Sequence, residues 1–478
     1  MTGGRDLDAT AASFGVEQHT TDFVPLSERH GRPRSLFAVW FASNMQITTI
    51  VTGALGVVVG LPLPSAIAAL VLGNLVGAVF MAMHSAQGPK LGIPQMIQSR
   101  AQFGFYGAVL PLLLVLLMYI GFFASSTVLA SQALGAWWHI PPTLAGILVS
   151  AVCTVLAVFG YRAIHRVERI IAVVAVIAFL VLSVRLFTEH SVGHAWHAGG
   201  HTGVGTFLLV TAIAATWQIT YAPYVADYSR YLPEDTSVRA AFWWTYTGSA
   251  LASIWMMAFG SIAAAVASEA FNSGSSSFIV SLAPGGLGWL VSLVLVLGVV
   301  AIQVLNLYGM FMSMTTTVTA LARFRVSTPV RAAFLVVAAV VGTTVGLVAS
   351  SNFISNFENF ILFLAYFLIP WTAINLADFY LVRHGRYDVD AIFDPNGIYR
   401  KVNWRAIGAY LVAVAVEVPF MSTTFFTGPM VAHLGGADIS WILGLIVAAG
   451  LYAVLLRGDR TGPPAAAVAA EQDPAAKV

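Results

Sequence analysis

The first long apolar stretch of the chain covers residues 35–60 and reads SLFAVWFASNMQITTIVTGALGVVVG. None of its 26 residues is charged, and about 20 consecutive apolar residues suffice for a helix to cross the hydrocarbon core of a bilayer. Stretches of this kind recur along the whole chain. We therefore expect a protein that crosses a membrane many times. Its spanning elements should be helices, because the short alternating strands of a transmembrane barrel do not produce such runs.

The composition supports this interpretation. Of the 478 residues, 58% are hydrophobic, and the 23 basic and 21 acidic residues leave only 9% charged, against about 25% in an ordinary soluble protein. A water-facing surface cannot be built from so few charges. The composition therefore excludes a soluble enzyme, a disordered chain and a protein whose partner is nucleic acid, and it makes the lipid bilayer the expected surroundings.

Apolar runs long enough to cross a membrane occur twelve times, so we predict an all-α polytopic membrane protein with 12 transmembrane helices. The runs cover residues 35–60, 64–86, 105–135, 141–160, 169–187, 205–225, 239–268, 287–322, 328–349, 357–382, 404–423 and 438–456.

The distribution of charge checks this count independently, because cytoplasmic loops of membrane proteins are enriched in Lys and Arg. With twelve spans both termini lie on one side, and 22 of the 23 basic residues fall on that side. Arg185 is the exception, and the acidic Glu189, Glu269 and Asp438 lie on the other side. We therefore predict a multi-pass protein of the plasma (inner) membrane with both termini in the cytoplasm.

The two ends of the chain differ from the rest. Residues 1–34 are polar and lack the pattern of a cleavable signal peptide, so we expect a cytoplasmic N-terminal tail. Residues 457–478 are rich in Ala and Pro, with few large apolar side chains, and we expect a disordered cytoplasmic tail. Cys153 is the only cysteine and lies in an apolar run, which indicates a buried, inert thiol.

A short internal repeat indicates broken helices. Met45-Gln46-Ile47-Thr48 in the first span reappears as Trp217-Gln218-Ile219-Thr220 in the sixth, 172 residues later. Both copies lie in the middle of a span, and helix breakers follow both, namely Gly53 and Gly56 after the first and Pro223 after the second. In transporters, discontinuous helices at matching positions of two inverted halves mark a binding site near the middle of the membrane.

Among the amide side chains at membrane depth, three are candidates for a binding site. They are Gln46, Gln218 and Asn306. An unpartnered polar group in an apolar medium costs roughly 2–7 kcal/mol, so each amide must face protein, water or a ligand. A hydrogen bond between helices is the plainer alternative for any single one. Together they favour a binding site, because an amide places a donor beside an acceptor, as pairing with the edge of a nucleobase requires.

Aromatic neighbours are suited to stack on the faces of such a ring. They are Phe122, Phe123 and Trp217. For each of them taken singly, core packing or contact with lipid is the plainer alternative.

Glu417 is the one carboxylate deep inside a predicted span, and an acid at that depth is a functional candidate by default. We treat it as a possible coupling residue, against the alternative of a neutral or hydrogen-bonded structural acid. Asp227, just after the sixth span, is a second possible coupling residue, although a local cap or a pair with Arg230 is the interpretation that we favour. Asp378, before Arg383 near the inner end of the tenth span, has the same local interpretation.

Histidines of the outer loop near residue 195 are irregularly spaced, and we favour a solvated loop over a metal site. They are His190, His194, His197 and His201. The sequence contains no HExxH, GxSxG or Walker-type phosphate loop. We therefore expect neither an enzyme nor a bound cofactor or metal. A transporter, or a channel or facilitator that does not concentrate its substrate, fits these features better.

Several segments together resemble one family. They are ERHGRPR (28–34) with LFAVWFA (36–42), GPKLGIPQM (88–96) with SRAQFG (99–104), YVADYSRYLP (224–233) and LNLYG (305–309). In these segments the chain is similar to the purine-cytosine permease branch of the nucleobase-cation-symport-1 family, from about residue 15 to 456. The resemblance implies a leucine-transporter-like fold of two inverted five-helix repeats, 35–187 and 205–383, with two additional helices in 404–456. It also implies secondary transport of a nucleobase or similar heterocycle, driven by a sodium or proton gradient.

The resemblance implies a substrate-binding role for six residues. They are Gln46, Phe122, Ser126, Trp217, Gln218 and Asn306. Gln46 and Asn306 match amides that contact the heterocycle in the family. Phe122 stands in place of a stacking tryptophan, Ser126 in place of an amide, and Gln218 where an aromatic side chain often stacks. These departures leave the base open among adenine, guanine, hypoxanthine and cytosine. The alternative is another small heterocycle, such as a hydantoin, allantoin or a vitamin-like pyridine.

The cation site implied by the resemblance also departs from the family pattern. Sodium-coupled relatives use carbonyls of the first span, here those of Ala42 and Met45, and two hydroxyls of the eighth, where this chain has Val300 and Ala301. Sodium is a hard cation that requires oxygen ligands, so the loss of two hydroxyls leaves an incomplete shell. We therefore expect cation symport coupled to protons rather than to sodium, by alternating access. The oligomeric state stays open.

Overall fold

The computed structural model describes residues 22–159, 161–321 and 328–457. Within these ranges the regular structure is helical, apart from one isolated β-bridge between Ser422 and Thr427. The predicted disordered tail after Arg457 and the first 21 residues of the predicted N-terminal tail lie outside the described residues.

The helices follow one another along the chain with short connections. Those of the N-terminal part are α1 (Ser35–Ser43), α2 (Ile47–Val58), α3 (Leu63–Ser85), α4 (Gln87–Leu91), α5 (Gln95–Phe103), α6 (Val109–Trp138), α7 (Pro142–Phe159), α8 (Tyr161–Glu189) and α9 (Val192–His197). Those of the middle part are α10 (Val204–Ile219), α11 (Val225–Ser229), α12 (Val238–Val266), α13 (Ser268–Ser273), α14 (Ser275–Ser281), α15 (Gly288–Leu321) and α16 (Thr328–Ala349). The last are α17 (Phe353–Ala377), α18 (Val389–Phe393), α19 (Trp404–Glu417), α20 (Pro429–His433) and α21 (Ser440–Leu455).

Tighter or wider turns interrupt or extend several of these helices. The 3₁₀ turns are Leu26–Glu28, Ala222–Tyr224, Ser350–Asn352 and Val418–Phe420, and a π-helical turn covers Asp378–Val382. His194 and His197, expected outside any helix, lie in α9.

By length and apolar composition, seven helical stretches of the described ranges can cross a membrane, and the bent pair α1 and α2 is an eighth if counted as one span. One of the seven, Pro329–Val382, is 54 residues long and contains both α16 and α17, whereas a single crossing needs only about 20 residues. Shorter apolar helices lie at Pro142–Val158 and Ser440–Leu455. The chain is therefore an all-helical protein with several membrane-spanning helices, and the count of twelve stays a prediction.

The first span is broken, as predicted, within the repeated motif. α1 ends at Ser43, α2 begins at Ile47, and the two helices meet at an angle of 61°. Gln46 between them has extended backbone angles, φ −141° and ψ 157°. The break therefore lies at residues 44–46.

Gly53 and Gly56, expected to act as helix breakers, lie inside α2, so that expectation was wrong. A Cβ atom on Gly53 would collide with the backbone of Met257 in α12, and one on Gly56 would approach the Cβ of Ala66 in α3 to 3.1 Å. Small residues let membrane helices approach closely. These two glycines therefore serve helix packing rather than helix termination.

The sixth span is irregular at the predicted proline. α10 ends at Ile219, the 3₁₀ turn that contains Pro223 follows, and α11 continues to Ser229. The stretch Val204–Ser229 as a whole is long and apolar enough to cross a membrane once. The irregularity is therefore a local change of winding, and a sharp bend of the kind between α1 and α2 does not occur here.

The long helices pack in two groups. In the first group α3 packs on α10, α12 and α2, and α12 packs on α1 and α2. In the second group α6, α7, α15 and α16 pack together, and Cys153 is fully buried there. α17 contacts α10 of the first group and α6 of the second, and it also packs on α21, which contacts α19. The cavities described next lie between the two groups.

Candidate functional site

Five of the six residues predicted to bind substrate line one small pocket. They are Gln46, Phe122, Ser126, Trp217 and Asn306, from the break after α1 and from α6, α10 and α15. The volume of the pocket is only about 20 Å³, and a single water molecule already needs about 10–15 Å³. The structure thus brings the predicted residues together, with the space between them almost closed.

A larger cavity of about 190 Å³ adjoins this pocket. The two share four lining residues, which are Tyr221, Tyr224, Ile302 and Asn306. Along each span, residues that line the larger cavity lie to one side of the residues that line the small pocket. Tyr119 precedes Phe122 in α6, Asp227 follows the end of α10, and Met312 follows Asn306 in α15. With the predicted alternation of spans, each displacement leads toward the side of the basic loops.

Asn306 lies where the two cavities meet. The residue is 5% exposed, and its side-chain nitrogen Nδ2 has no hydrogen-bond partner in the part of the chain that the structure describes. Buried polar groups are rarely left unpaired, because an unmade hydrogen bond costs about 1–3 kcal/mol. Asn306 therefore offers a donor to a ligand at this junction.

Gln46 lies at the other wall of the small pocket, directly in the break of the first span. Its Nε2 donates a hydrogen bond to the carbonyl oxygen of Ser43, 2.8 Å away. The break leaves such carbonyls without helical partners. The side chain that the sequence predicts as a substrate contact therefore also stabilises the end of α1.

Aromatic rings form the remaining walls of the small pocket. Phe122 and Trp217 meet edge to face, with ring centroids 5.8 Å apart and planes at 87°. Phe360 of α17 meets Phe122 in the same manner at 5.1 Å and 83°, where Gly121 leaves room for it. Trp217 also meets Tyr221 at 6.0 Å and 89°. Phe122, Trp217 and Tyr221 line the pocket, and Phe360 packs behind Phe122. Aromatic lining of this kind is suited to a planar ligand.

Gln218, the sixth predicted substrate residue, lines neither cavity. Its Nε2 donates hydrogen bonds to Oδ1 of Asn74 at 2.8 Å and to Oγ of Ser253 at 2.9 Å, and its Oε1 accepts one from Ser249 at 2.6 Å. Successive residues of a helix point about 100° apart. Because Trp217 faces the pocket, Gln218 faces α3 and α12 instead, and the structure separates it from the other five.

Tyr221, Tyr224 and Ile302 line both cavities, and the sequence did not single them out. Spacing alone could have indicated two of them. Tyr221 lies four residues after Trp217, and Ile302 lies four residues before Asn306, and residues four apart share one face of a helix.

The four positions of the expected cation site contribute no side-chain oxygen. Ala42 lies in the last turn of α1 and Met45 lies in the break, and the backbone nitrogen of Met45 donates to the carbonyl oxygen of Ala42 at 3.0 Å. Val300 and Ala301 are half-buried in α15. Across the described residues, no group of three or more His, Cys, Asp or Glu side chains could hold a metal ion.

Glu417 and Asp227 have different surroundings. Glu417 is fully buried at the end of α19, its carboxylate touches Gly444 of α21, and neither oxygen has a hydrogen-bond partner among the described residues. Asp227 lines the larger cavity, and its Oδ1 accepts a hydrogen bond from the backbone nitrogen of Gln95, the first residue of α5, at 2.7 Å. Asp227 therefore joins the end of the sixth span to the start of α5 and also faces the cavity, whereas the local cap or pair with Arg230 stays a prediction.

Asp378 has the local role that its position near Arg383 indicated. It is fully buried, and Nε of Arg383 lies 3.0 Å from its Oδ1. Its carboxylate also accepts hydrogen bonds from Gln102 at 3.0 Å and from the hydroxyls of Tyr387 and Tyr452 at 2.7 Å each. A buried carboxylate with this many donors is a structural anchor.

Residues 23–444 match a family described as permeases for cytosine/purines, uracil, thiamine and allantoin. The chain is 46% identical over 442 residues to a Bacillus subtilis (strain 168) protein provisionally named purine-cytosine permease YxlA, an alignment that covers 92% of this chain and 96% of that relative. It is 28% identical over 472 residues to the purine-cytosine permease fcyB of Emericella nidulans, covering 94% and 90% of the two chains.

Two solved structures of Mhp1, a nucleobase-cation-symport-1 family transporter, share the fold. The inward-facing conformation has a TM-score of 0.77 at 19% identity, covering 94% of this chain and 95% of that chain. The closed conformation with bromovinylhydantoin bound has a TM-score of 0.75 at 20% identity, covering 94% and 97%. At this level of identity the similarity concerns the fold, and it agrees with the leucine-transporter-like architecture that the resemblance implied.

Proposed function

Because this chain belongs to the family of permeases for cytosine/purines, uracil, thiamine and allantoin, we propose that it imports a nucleobase, cytosine or a purine, by secondary active transport. Membership in a permease family makes the protein a transporter and not an enzyme. The names of its bacterial and fungal relatives support a nucleobase as substrate. The pocket of this chain supports it independently.

The observation that carries the proposal is the side-chain nitrogen of Asn306 at the junction of the two cavities, which has no hydrogen-bond partner among the described residues. The small pocket beside it contains no charged side chain, so an uncharged ligand fits its chemistry. An amide pairs with the edge of a heterocycle that offers both a donor and an acceptor. The rings of Phe122 and Trp217 are suited to contact its faces, and Gln46 and Ser126 complete the polar lining.

The route of the substrate follows from the two cavities. The small pocket is almost closed, whereas the larger cavity extends from Asn306 toward the side of the basic loops. We propose that this side is the cytoplasm and that the base leaves through the larger cavity. The two helix groups on either side of the cavities would rock against each other to expose the site alternately.

The proposed topology has twelve spans in the plasma (inner) membrane, two inverted repeats of five helices and both termini in the cytoplasm. The proposed driving force is a proton gradient, because Val300 and Ala301 offer no hydroxyl where a sodium ion would need one. Asp227, which lines the larger cavity, is the candidate for carrying the proton. Glu417 is the other possible coupling residue, against the alternative of a neutral structural acid, and neither assignment is required for the substrate proposal.

A different small heterocycle is the second candidate for the substrate. The family description extends to uracil, thiamine and allantoin, and Phe122 and Ser126 differ from the family pattern at contact positions. A facilitator that does not concentrate its substrate would have the same pocket but would lack coupling to a gradient.

Equilibrium binding to the purified protein tests the proposal. Labelled cytosine is competed with unlabelled adenine, guanine, hypoxanthine and uracil, and in parallel with a hydantoin, allantoin and pyridoxine. We expect cytosine to bind or a purine to compete, and Asn306→Ala to remove that binding. Binding by none of the bases, or competition only by the other heterocycles, would contradict the proposed substrate.

A further inference from the structure

We infer that Asn44 is a positioning residue of the substrate pocket, which holds the rings of Trp217 and Tyr221 against the break in the first span. The inference rests on the proposed function. It adds a role for a side chain that lines neither of the two cavities and acts only through its neighbours.

Asn44 is fully buried, and both ends of its amide are engaged. Its Oδ1 accepts hydrogen bonds from Nε1 of Trp217 at 2.8 Å, from the hydroxyl of Tyr221 at 3.1 Å and from Oγ of Ser253 at 2.7 Å. Its Nδ2 donates to Oγ of Ser249 at 3.1 Å and to the carbonyl oxygen of Trp40 at 2.8 Å. One amide thus joins α1, α10, the turn after α10, and α12.

The two rings depend on Asn44 to different degrees. The indole nitrogen of Trp217 donates to Asn44, and the ring is 1% exposed, so water cannot replace this acceptor. The hydroxyl of Tyr221 has a second acceptor within reach, the carbonyl oxygen of Ser43 at 3.4 Å. An indole N–H normally finds a partner when it is buried. Removal of Asn44 therefore affects the orientation of Trp217 first.

The same amide also ends the first half of the broken span. The last carbonyls of a helix have no helical partner. Nδ2 of Asn44 donates a hydrogen bond to one of them, the carbonyl oxygen of Trp40 in the last turn of α1. The end of α1 and the aromatic wall of the pocket are therefore held by one side chain. A change in the winding of the break would move the wall of the pocket with it.

Asn74 provides a matched control, because it belongs to the same hydrogen-bonded polar cluster. The members of this cluster are Asn44, Asn74, Gln218, Ser249 and Ser253. Asn74 is a fully buried amide on α3 that accepts from Gln218 at 2.8 Å and donates to the carbonyl of Leu70 at 2.9 Å. Within the described residues, Asn74 makes no hydrogen bond with Trp217 or Tyr221. A variant of Asn74 therefore shows how much stability and affinity are lost when the cluster is weakened but the rings of Trp217 and Tyr221 keep their hydrogen bonds to Asn44.

The test is a double-mutant cycle in cytosine binding, with thermal unfolding measured for every variant. We expect Asn44→Ala to weaken binding of labelled cytosine about tenfold or more. Trp217→Phe, which keeps a ring but no N–H, should also weaken it. The double variant should bind no more than about twofold worse than Asn44→Ala alone. The reason is that Asn44→Ala has already removed the acceptor of the Trp217 N–H, so the loss of that N–H in Trp217→Phe has little further effect. Asn74→Ala should unfold at a lower temperature yet bind cytosine within about threefold of wild type.

Additive losses in the double variant, or equal losses of affinity in Asn44→Ala and Asn74→Ala, would overturn the inference. If Asn44→Ala does not reach the membrane, Asn44→Leu carries the same cycle, since its side chain fills a similar volume but offers no acceptor to the indole, and additivity there would overturn the inference equally. A wild-type protein that binds no base defeats the proposed function instead. The two failures are thus distinguishable.

Discussion

Arg29 donates a hydrogen bond from Nη1 to the carbonyl oxygen of Pro89, 2.8 Å away, and so joins the segment before α1 to the short helix α4. Nε of the same guanidinium donates to the carbonyl of Val24 at 3.0 Å. The backbone nitrogen of Val24 in turn donates to the carbonyl of Gly92 at 2.9 Å. Gly92 has φ +64°, in the left-handed region that favours glycine, and a side chain there would also crowd the guanidinium.

The same loop also contacts the end of the sixth span. The backbone nitrogen of Gln95 donates to Oδ1 of Asp227 at 2.7 Å, and the backbone nitrogen of His30 donates to the carbonyl of Tyr231 at 2.7 Å. Three of the segments that carry the family resemblance, 28–34, 88–104 and 224–233, therefore form one assembly. Asp227 and Arg230 of this assembly line the larger cavity.

Arg29→Lys should weaken this assembly. An ammonium group cannot reproduce the two fixed directions of the guanidinium toward Val24 and Pro89, and a lost hydrogen bond from a charged donor costs about 2 kcal/mol. We expect a lower midpoint of thermal unfolding and slower transport. Arg34→Lys is the control, because Arg34 is exposed. Equal midpoints for the two variants would contradict the structural role of Arg29.

Asn306→Ala should abolish transport while the protein still reaches the membrane. Without the amide, the polar edge of a bound base has no partner in a closed pocket, which lowers affinity about 10- to 100-fold. Uptake of labelled cytosine and the amount of protein in isolated membranes are the two measurements. Thr317→Ala, on the same helix and outside both cavities, is the control. Near-normal uptake by Asn306→Ala would remove Asn306 from the site.

Gln218→Ala should lower stability without changing which base the protein prefers. Its side chain makes three hydrogen bonds inside the first helix group and lines neither cavity. We expect a lower unfolding midpoint with an unchanged order of competing bases. Ser126→Asn, which enlarges a lining side chain, should reorder the competitors. A changed order of competing bases in Gln218→Ala would instead indicate that Gln218 contacts the substrate.

Glu417→Gln should retain accumulation driven by a proton gradient. A carboxyl group that is fully buried, without a hydrogen-bond partner among the described residues, avoids the cost of a buried charge by staying neutral. A neutral amide of nearly the same volume should therefore replace it. Counterflow of labelled cytosine, which needs no gradient, is the control. Intact counterflow with lost accumulation would instead assign the proton to Glu417.

Much of the fold follows from the distribution of apolar and basic residues. Both the helical class and the break in the first span were predicted correctly. The role of Gly53 was not, because a glycine that breaks a helix and a glycine that admits another backbone look alike in sequence. The backbone that approaches Gly53 belongs to Met257, about 200 residues away, and only the packed helices bring it there.

The candidate site divides in the same way. Gln46 and Asn306 lie in recognisable motifs, and the structure brings them to one pocket. Gln218 adjoins a pocket residue in sequence but points to another helix, and the phase of a helix relative to its neighbours is a tertiary property. Asn44 is an amide in the same uncharged stretch as Gln46, but the sequence does not show which donors α10 and α12 bring to it.

Uptake into proteoliposomes tests the central claim most directly. The purified protein is reconstituted, and uptake of labelled cytosine is measured under an inward proton gradient alone and under an inward sodium gradient alone, with each unlabelled base as competitor. The account predicts accumulation under the proton gradient, without sodium, that cytosine or a purine competes away. Absence of uptake and competition for every base would contradict nucleobase transport, and accumulation that needs sodium and ignores the proton gradient would contradict the proposed coupling.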